Sequence, residues 1–125
     1  MAVTHAMPVR NLIADTVTAQ IDISGLGKIL FQSAGAAVDV ASLNFSATAF
    51  GAAASAVCTA AAITDDTNCT AGTVAIFAVQ QNNNTAVFSG SVTATGGGGD
   101  IILSSVAIGQ GDTISISSLT YEAPQ

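Results

Sequence analysis

Positive charge is scarce in this chain. Arg10 and Lys28 are the only strongly basic residues, and against eight acids they leave a net charge of −6. Nucleic-acid binding draws its affinity from clustered Lys and Arg that displace phosphate counterions, and two isolated cations form no cluster. Anionic membrane surfaces are excluded as partners on the same ground. Tryptophan is absent, and there are one tyrosine and five phenylalanines. A sugar site built on broad aromatic faces therefore has little material. His5 is the single histidine, which closes most routes to a nucleophile–base pair, because a base must be held within reach of the group it activates. No window reaches the roughly 18 strongly apolar residues of a membrane span. The richest stretch, 50–63, is alanine diluted with Gly, Ser and Thr. The first ten residues lack the basic stretch and continuous apolar core of a secretory signal.

Charged residues make up only 8 % of the chain, against about 25 % in ordinary soluble domains. The surface must then be Ser, Thr, Asn, Gln, Gly and Ala. Such a surface has few ions to desolvate and few long side chains to order when it docks on a neighbour. That favours a subunit of an assembly.

Half of the residues are hydrophobic, mostly Ala, Val and Ile. Small and β-branched side chains suit closely packed sheets. The length, 125 residues, fits one domain spanning 1–125, large enough to fold without a metal or disulfide staple. Residues 1–7 read as an N-terminal arm. The spacing of Leu12, Ile13, Val17 and Ile21 predicts an amphipathic helix over 8–23, with Pro8 in its first turn, Arg10, Asp15, Thr18 and Asp22 off the apolar face, and Ser24-Gly25 as the stop. Seven strands follow within 28–121, at 28–33, 39–45, 56–63, 73–80, 86–93, 101–105 and 113–121, separated by Gly, Asn and Asp turns. The pair around Asn82-Asn83-Asn84 is the clearest hairpin, and a phase shift near Ser117-Ser118 suggests a bulge. Regular short strands with one leading helix predict a mainly β fold, an antiparallel β-sandwich or jelly-roll-like barrel.

The candidate chemistry is thin. Asp65-Asp66 lacks the alternating oxygen ligands of a calcium loop and reads as a turn. Gly96-Gly-Gly-Gly99 precedes Ile101-Ile-Leu, a strand, whereas a phosphate cradle needs a helix there; a flexible hairpin loop is the reading. Cys58 and Cys69 lack the histidine partners of a zinc site. A disulfide between them and a pair of unpaired core thiols both fit. No catalytic, cofactor-binding or metal-binding set emerges, so the expectation is a non-enzymatic protein without a cofactor.

Several segments taken together carry a family resemblance: Val3-Thr-His5, Arg10-Asn-Leu-Ile-Ala-Asp15, Gly27-Lys-Ile-Leu-Phe31, Val40-Ala-Ser-Leu-Asn-Phe-Ser46, Ala49-Phe-Gly-Ala52, Ala62-Ile-Thr-Asp-Asp66, Val87-Phe-Ser-Gly-Ser91, Leu103-Ser-Ser105 and Gly111-Asp-Thr-Ile-Ser-Ile-Ser-Ser-Leu-Thr120. The chain resembles small accessory virion proteins of tailed bacteriophages and prophages. The resemblance spans nearly the whole sequence in order and leaves out the cysteines. It implies a structural protein, a homo-oligomer with a trimer favoured, assembled in the host cytoplasm and carried on the capsid surface. The specific role inferred from it is capsid decoration: a cement protein that binds the major capsid protein at subunit junctions and stabilises the shell. Val3, Thr4, His5, Met7 and Arg10 are then the candidate capsid-contact arm. A neck, tail or fibre-base component is the alternative within the particle. A carbohydrate-binding or adhesin-like β-sandwich is the alternative of another class.

Overall fold

The computed structural model describes residues 3–123. The fold is mainly β with one N-terminal helix, and it is sandwich- or barrel-like. Helix α1 runs Met7–Ala19 and continues as a 3₁₀ turn over Gln20–Asp22. Nine strands follow: β1 Lys28–Gln32, β2 Asp39–Asn44, β3 Val57–Thr59, β4 Gly72–Thr73, β5 Ile76–Gln80, β6 Ala86–Ala94, β7 Ile101–Leu103, β8 Ala107–Ile108 and β9 Thr120–Glu122. Five of them form one sheet in the order β2-β1-β5-β6-β7, while β3 pairs with β9 and β4 with β8.

Alternation along the strands builds the core. Cross-strand register aligns Leu43, Ile29, Val79 and Phe88 in one row, and Ala41, Phe31, Phe77 and Gly90 in the next. Both rows face inward, and Ile29, Phe31, Leu43 and Val79 are fully buried. A side chain at Gly90 would collide with Phe77, since a Cβ there would lie 2.7 Å from the ring. Glycine thus lets an aromatic lie across the neighbouring strand. Phe77 meets Phe88 edge to face at 6.3 Å, and Phe88 packs on Tyr121 of β9 at 5.0 Å. Through Tyr121 the β3–β9 ribbon covers the inner face of the sheet, and α1 packs on β3 and β9 in turn.

The expected hairpin around Asn82–Asn84 is present as β5 and β6, with Asn84 at φ 71°. Four expectations need correction. The sheet is mixed rather than antiparallel, because β7 runs parallel to β6. Residues 96–99 are accordingly not a hairpin loop. They return the chain so that Val92 pairs with Ile101 and Ala94 with Leu103. Gly97 and Gly99 make that short return feasible by folding onto Thr93, where a Cβ on Gly97 would lie 2.5 Å from Thr93 Oγ1. The long strands expected at 56–63 and 113–121 shrink to β3 and β9. Ile114, Ile116 and Leu119 do turn toward the core, but alternation records burial and not pairing. The region 73–80 divides into β4 and β5, and β8 follows β7 as a separate short strand.

The fourth correction concerns α1. Its buried positions are Arg10, Ala14 and Thr18, followed by Ile21 in the 3₁₀ turn, whereas Leu12 is 66 % exposed. Ile13 packs on the core as well, so the inward side mixes apolar residues with Arg10 and Thr18, and the polar ones are there for reasons visible in the bonds they make.

Candidate functional site

The inward side of α1 fastens a loop. Segment 49–56 crosses the helix without pairing along most of its length, so its N–H groups need acceptors. The helix supplies them. Asn11 Oδ1 accepts from Ala56 N–H at 2.7 Å, Asp15 Oδ1 from Ala53 N–H at 2.8 Å, and the Asp22 carboxylate from Ala49 N–H at 3.1 and 3.2 Å. Positions 11, 15 and 22 share one stripe at helical spacing. The loop closes in a tight turn in which Ala54 and Val57 exchange both backbone bonds, with Ser55 at φ 51° and Ala56 at φ 65°. Left-handed backbone costs a non-glycine residue about 1–2 kcal/mol. The Asn11 bond lands on one of the two strained residues and holds the turn in place.

Arg10 is part of the same inward side. The residue is 9 % exposed; its guanidinium donates to the Ala123 carbonyl at 2.9 Å and lies 3.3 Å from Glu122 Oε1. It therefore ties α1 to the chain just after β9 and is not presented with the arm.

With Asn11, Asp15 and Asp22 employed inside, α1 shows solvent a stripe without charge in which Thr16 is the one polar member. Val9 and Leu12 lie on it, and Ile23, 63 % exposed and still in helical backbone, extends it beyond the 3₁₀ turn. Leu26 follows. Of the eight large apolar residues exposed among the described residues, six (Val3, Met7, Val9, Leu12, Ile23 and Leu26) fall within 3–26, leaving only Val38 and Ile102 elsewhere. The charged residues of that span, Arg10, Asp15 and Asp22, all point to internal partners. The outer side of the N-terminal region is thus free of formal charge and holds most of the exposed large apolar side chains, with Thr4, His5, Thr16 and Gln20 among them. Val3, Thr4 and His5 are exposed ahead of the helix, in a segment without secondary structure that ends at the extended Ala6, and Met7 begins the helix half exposed.

The remaining candidates are local. Asp66 is an acceptor for backbone, taking Ser42 N–H and Asn68 N–H at 2.9 Å each. Asp65 does not join it in a ligand set, and among the described residues no group of three or more His, Cys, Asp or Glu could hold a metal ion. Asp100 accepts from Ser91 N–H at 3.0 Å and Ser91 Oγ at 3.1 Å, and these bonds hold its carboxyl below the usual range. Cys58 and Cys69 are buried free thiols, so the disulfide reading is corrected. Cys58 sits against Thr18 and Asp15, while Cys69 donates to the Asp66 carbonyl. Burial pushes both thiols up, helped by the negative charge of Asp15 at one and Asp66 at the other.

Two of the surface grooves bear on function. The larger, about 520 Å³, lies on the outer face of the sheet over Leu30 and is walled by Lys28, Gln32, Asp39, Asp66 and Gln80. Many of its polar groups already have partners: Lys28 donates to Asn84, and Gln32 to Asp39 at 2.7 Å. No aromatic ring lines it, so it lacks the stacking surface a sugar site leans on. The second, about 480 Å³, runs between β7 and residues 113–115.

What sequence reasoning missed is the inward role of the polar residues: Ile13 and Ile21 do face the core as expected, but Leu12 does not, and Arg10 and Thr18 are buried beside them. The signal was present in Asn11, Asp15 and Asp22, three acceptor side chains on one stripe, followed by an alanine-rich segment unable to satisfy its own backbone. No helix among the described residues is long and apolar enough to cross a membrane. Comparison with protein-family models, with curated proteins and with solved structures gives no match.

Proposed function

We propose that the chain is a non-enzymatic structural protein of a phage particle, a decoration protein that binds the outer shell at junctions between major capsid subunits and stabilises it. One observation carries the reading: the exposed apolar side chains gather on the outer side of residues 3–26, where charge has been withdrawn inward. A patch of that kind, on a chain otherwise polar, is the usual mark of a protein-docking surface. The sequence resemblance to accessory virion proteins supplies the kind of partner. Val9, Leu12 and Ile23 are the shell-facing residues, and each particle would gain from many small contacts repeated over the lattice.

Purified particles test the proposal. Quantitative mass spectrometry should find the protein at a copy number comparable to that of the major capsid protein, and shells carrying Leu12→Glu with Ile23→Glu should lose it while the free variant stays folded. A few copies per particle would point instead to a neck, tail or fibre-base position. Absence from the particle, or full occupancy by the double variant, would overturn the reading.

A further inference from the structure

The two edges of the five-stranded sheet are treated differently. The outer edge of β2 is closed by the 64–70 segment: Thr64 N–H donates to the Asn44 carbonyl and Thr70 N–H to the Val40 carbonyl at 2.9 Å each, and Ser42 N–H reaches Asp66. The edge at β7 has no such cover. In a parallel ladder, alternate residues direct both backbone groups to the same neighbour. Leu103 serves the β6 side, since its carbonyl accepts from Thr95 N–H at 3.0 Å. Ile102, one residue away, therefore turns its N–H and carbonyl outward, and its side chain is 48 % exposed.

What faces that edge is a second unpaired backbone. Ile114 exchanges both of its bonds with Asp66, at 2.9 and 3.1 Å, so Thr113 and Ser115 direct their backbone groups to the opposite side. Thr113, Ser115 and Ile102 all line the groove of about 480 Å³. The groove has the character of a missing strand position: backbone groups on both walls, apolar contacts from Ile102, Leu103 and Ile108, and Asp112 as its one charged residue.

We propose that this slot takes the N-terminal segment 3–6 of a second copy as an added strand, linking copies head to tail. The segment has no secondary structure of its own, Ala6 at its end is extended at φ −62° and ψ 152°, and all four of its residues are exposed. Its chain continues into α1, which is anchored on β3 and β9; the segment lies free of its own slot. At about 3.3 Å per residue four residues are long enough to lie along β7, a strand of three. Charge favours the pairing too. Copies with a net charge of −6 repel, and contact is least opposed where a segment whose one ionisable side chain is His5 meets a slot whose one acid is Asp112. Added strands bind through main-chain hydrogen bonds, so the fit asks little of the side chains. The contact is heterologous and closes into a ring when the rotation between copies allows it. This inference does not rest on the virion reading, because it concerns the free protein.

The test uses two full-length single variants, Thr4→Cys and Ser115→Cys, in a background where Cys58 and Cys69 are buried. Mixed and mildly oxidised, they should give a covalent heterodimer on non-reducing gels, which neither variant alone forms by that route. Ile102→Pro removes the outward N–H without touching the β6 ladder, a change edge strands tolerate. It should convert the oligomer to monomer in light scattering, with at least a 100-fold loss of association and an unchanged circular dichroism spectrum. A monomeric parent protein, no cross-link in the mixture, or a cross-link confined within one chain of the double variant would each overturn the proposal. Should Ile102→Pro fail to fold, the cross-linking result alone decides.

Discussion

Replacing Arg10 with methionine keeps the flexible apolar stem of the side chain and removes its donors. The guanidinium is nearly buried, and it donates to the Ala123 carbonyl at 2.9 Å. A hydrogen bond involving a charged group contributes about 1.5–3 kcal/mol, and the carbonyl left behind in a buried site loses its partner. The ion pair adds little. Glu122 is 62 % exposed and 3.3 Å away, and pairs of that kind contribute about 0–1 kcal/mol. Methionine restores part of the packing. The expected net loss for Arg10→Met is about 2 kcal/mol from these values, and for Glu122→Gln less than about 0.5 kcal/mol. For a domain of this size the first corresponds to a fall in Tm of roughly 8 °C. Urea denaturation followed by circular dichroism, with calorimetry as a second probe, measures both variants against the parent. An Arg10→Met protein within about 0.5 kcal/mol of the parent, the level of an ordinary surface substitution, would refute the inward assignment and return Arg10 to the arm.

Two further outcomes follow from the titrating groups. Because burial raises both thiols, the folded protein favours their neutral forms; stability is complete below the ordinary thiol range and falls as pH rises through it toward the higher folded values. Native Cys58 and Cys69 should accordingly resist a thiol reagent that labels both in denaturant, and prompt labelling of the native chain or a disulfide in its peptide map would contradict this. Asp100 works in the opposite direction: its lowered pKa gives stability that is present above the usual carboxylate range and is lost as pH falls through that range toward the lower folded value. Asp100→Asn should therefore flatten the acid limb of the stability curve between neutral pH and about pH 3, and an unchanged limb would show that the Ser91 bonds carry no such linkage.

Much of the sheet was readable because β1, β2, β5 and β6 obey local rules. β1 is a short apolar run and β5 alternates, each strand ends near turn residues, and β5 and β6 are joined by the shortest clear turn in the chain. The helix was readable in position and, through Ile13 and Ile21, partly in orientation. Periodicity does not show that Asp15 and Asp22 also find partners on the protein side; the backbone of 49–56 supplies those, and Leu12 is left outside. The region after residue 95 was the least readable. A glycine run between two apolar stretches signals a hairpin, and nothing local reveals that Thr93 folds the run back into a parallel pair. The apolar patch around Leu12 was hidden for a related reason, since an exposed leucine and a core leucine look alike in sequence.

The connection 95–100 makes the chain intolerant of length change at one place. Parallel neighbours are ordinarily separated by a crossover of a dozen or more residues, with slack to absorb an insertion. This link has none. One added residue would slide Ile101 and Leu103 by a single position, drawing Ile102 into the interior and pushing its two neighbours out. Growth or trimming in related chains is thereby steered toward sites such as the Asn82–Asn84 turn, and away from the glycines that look most permissive.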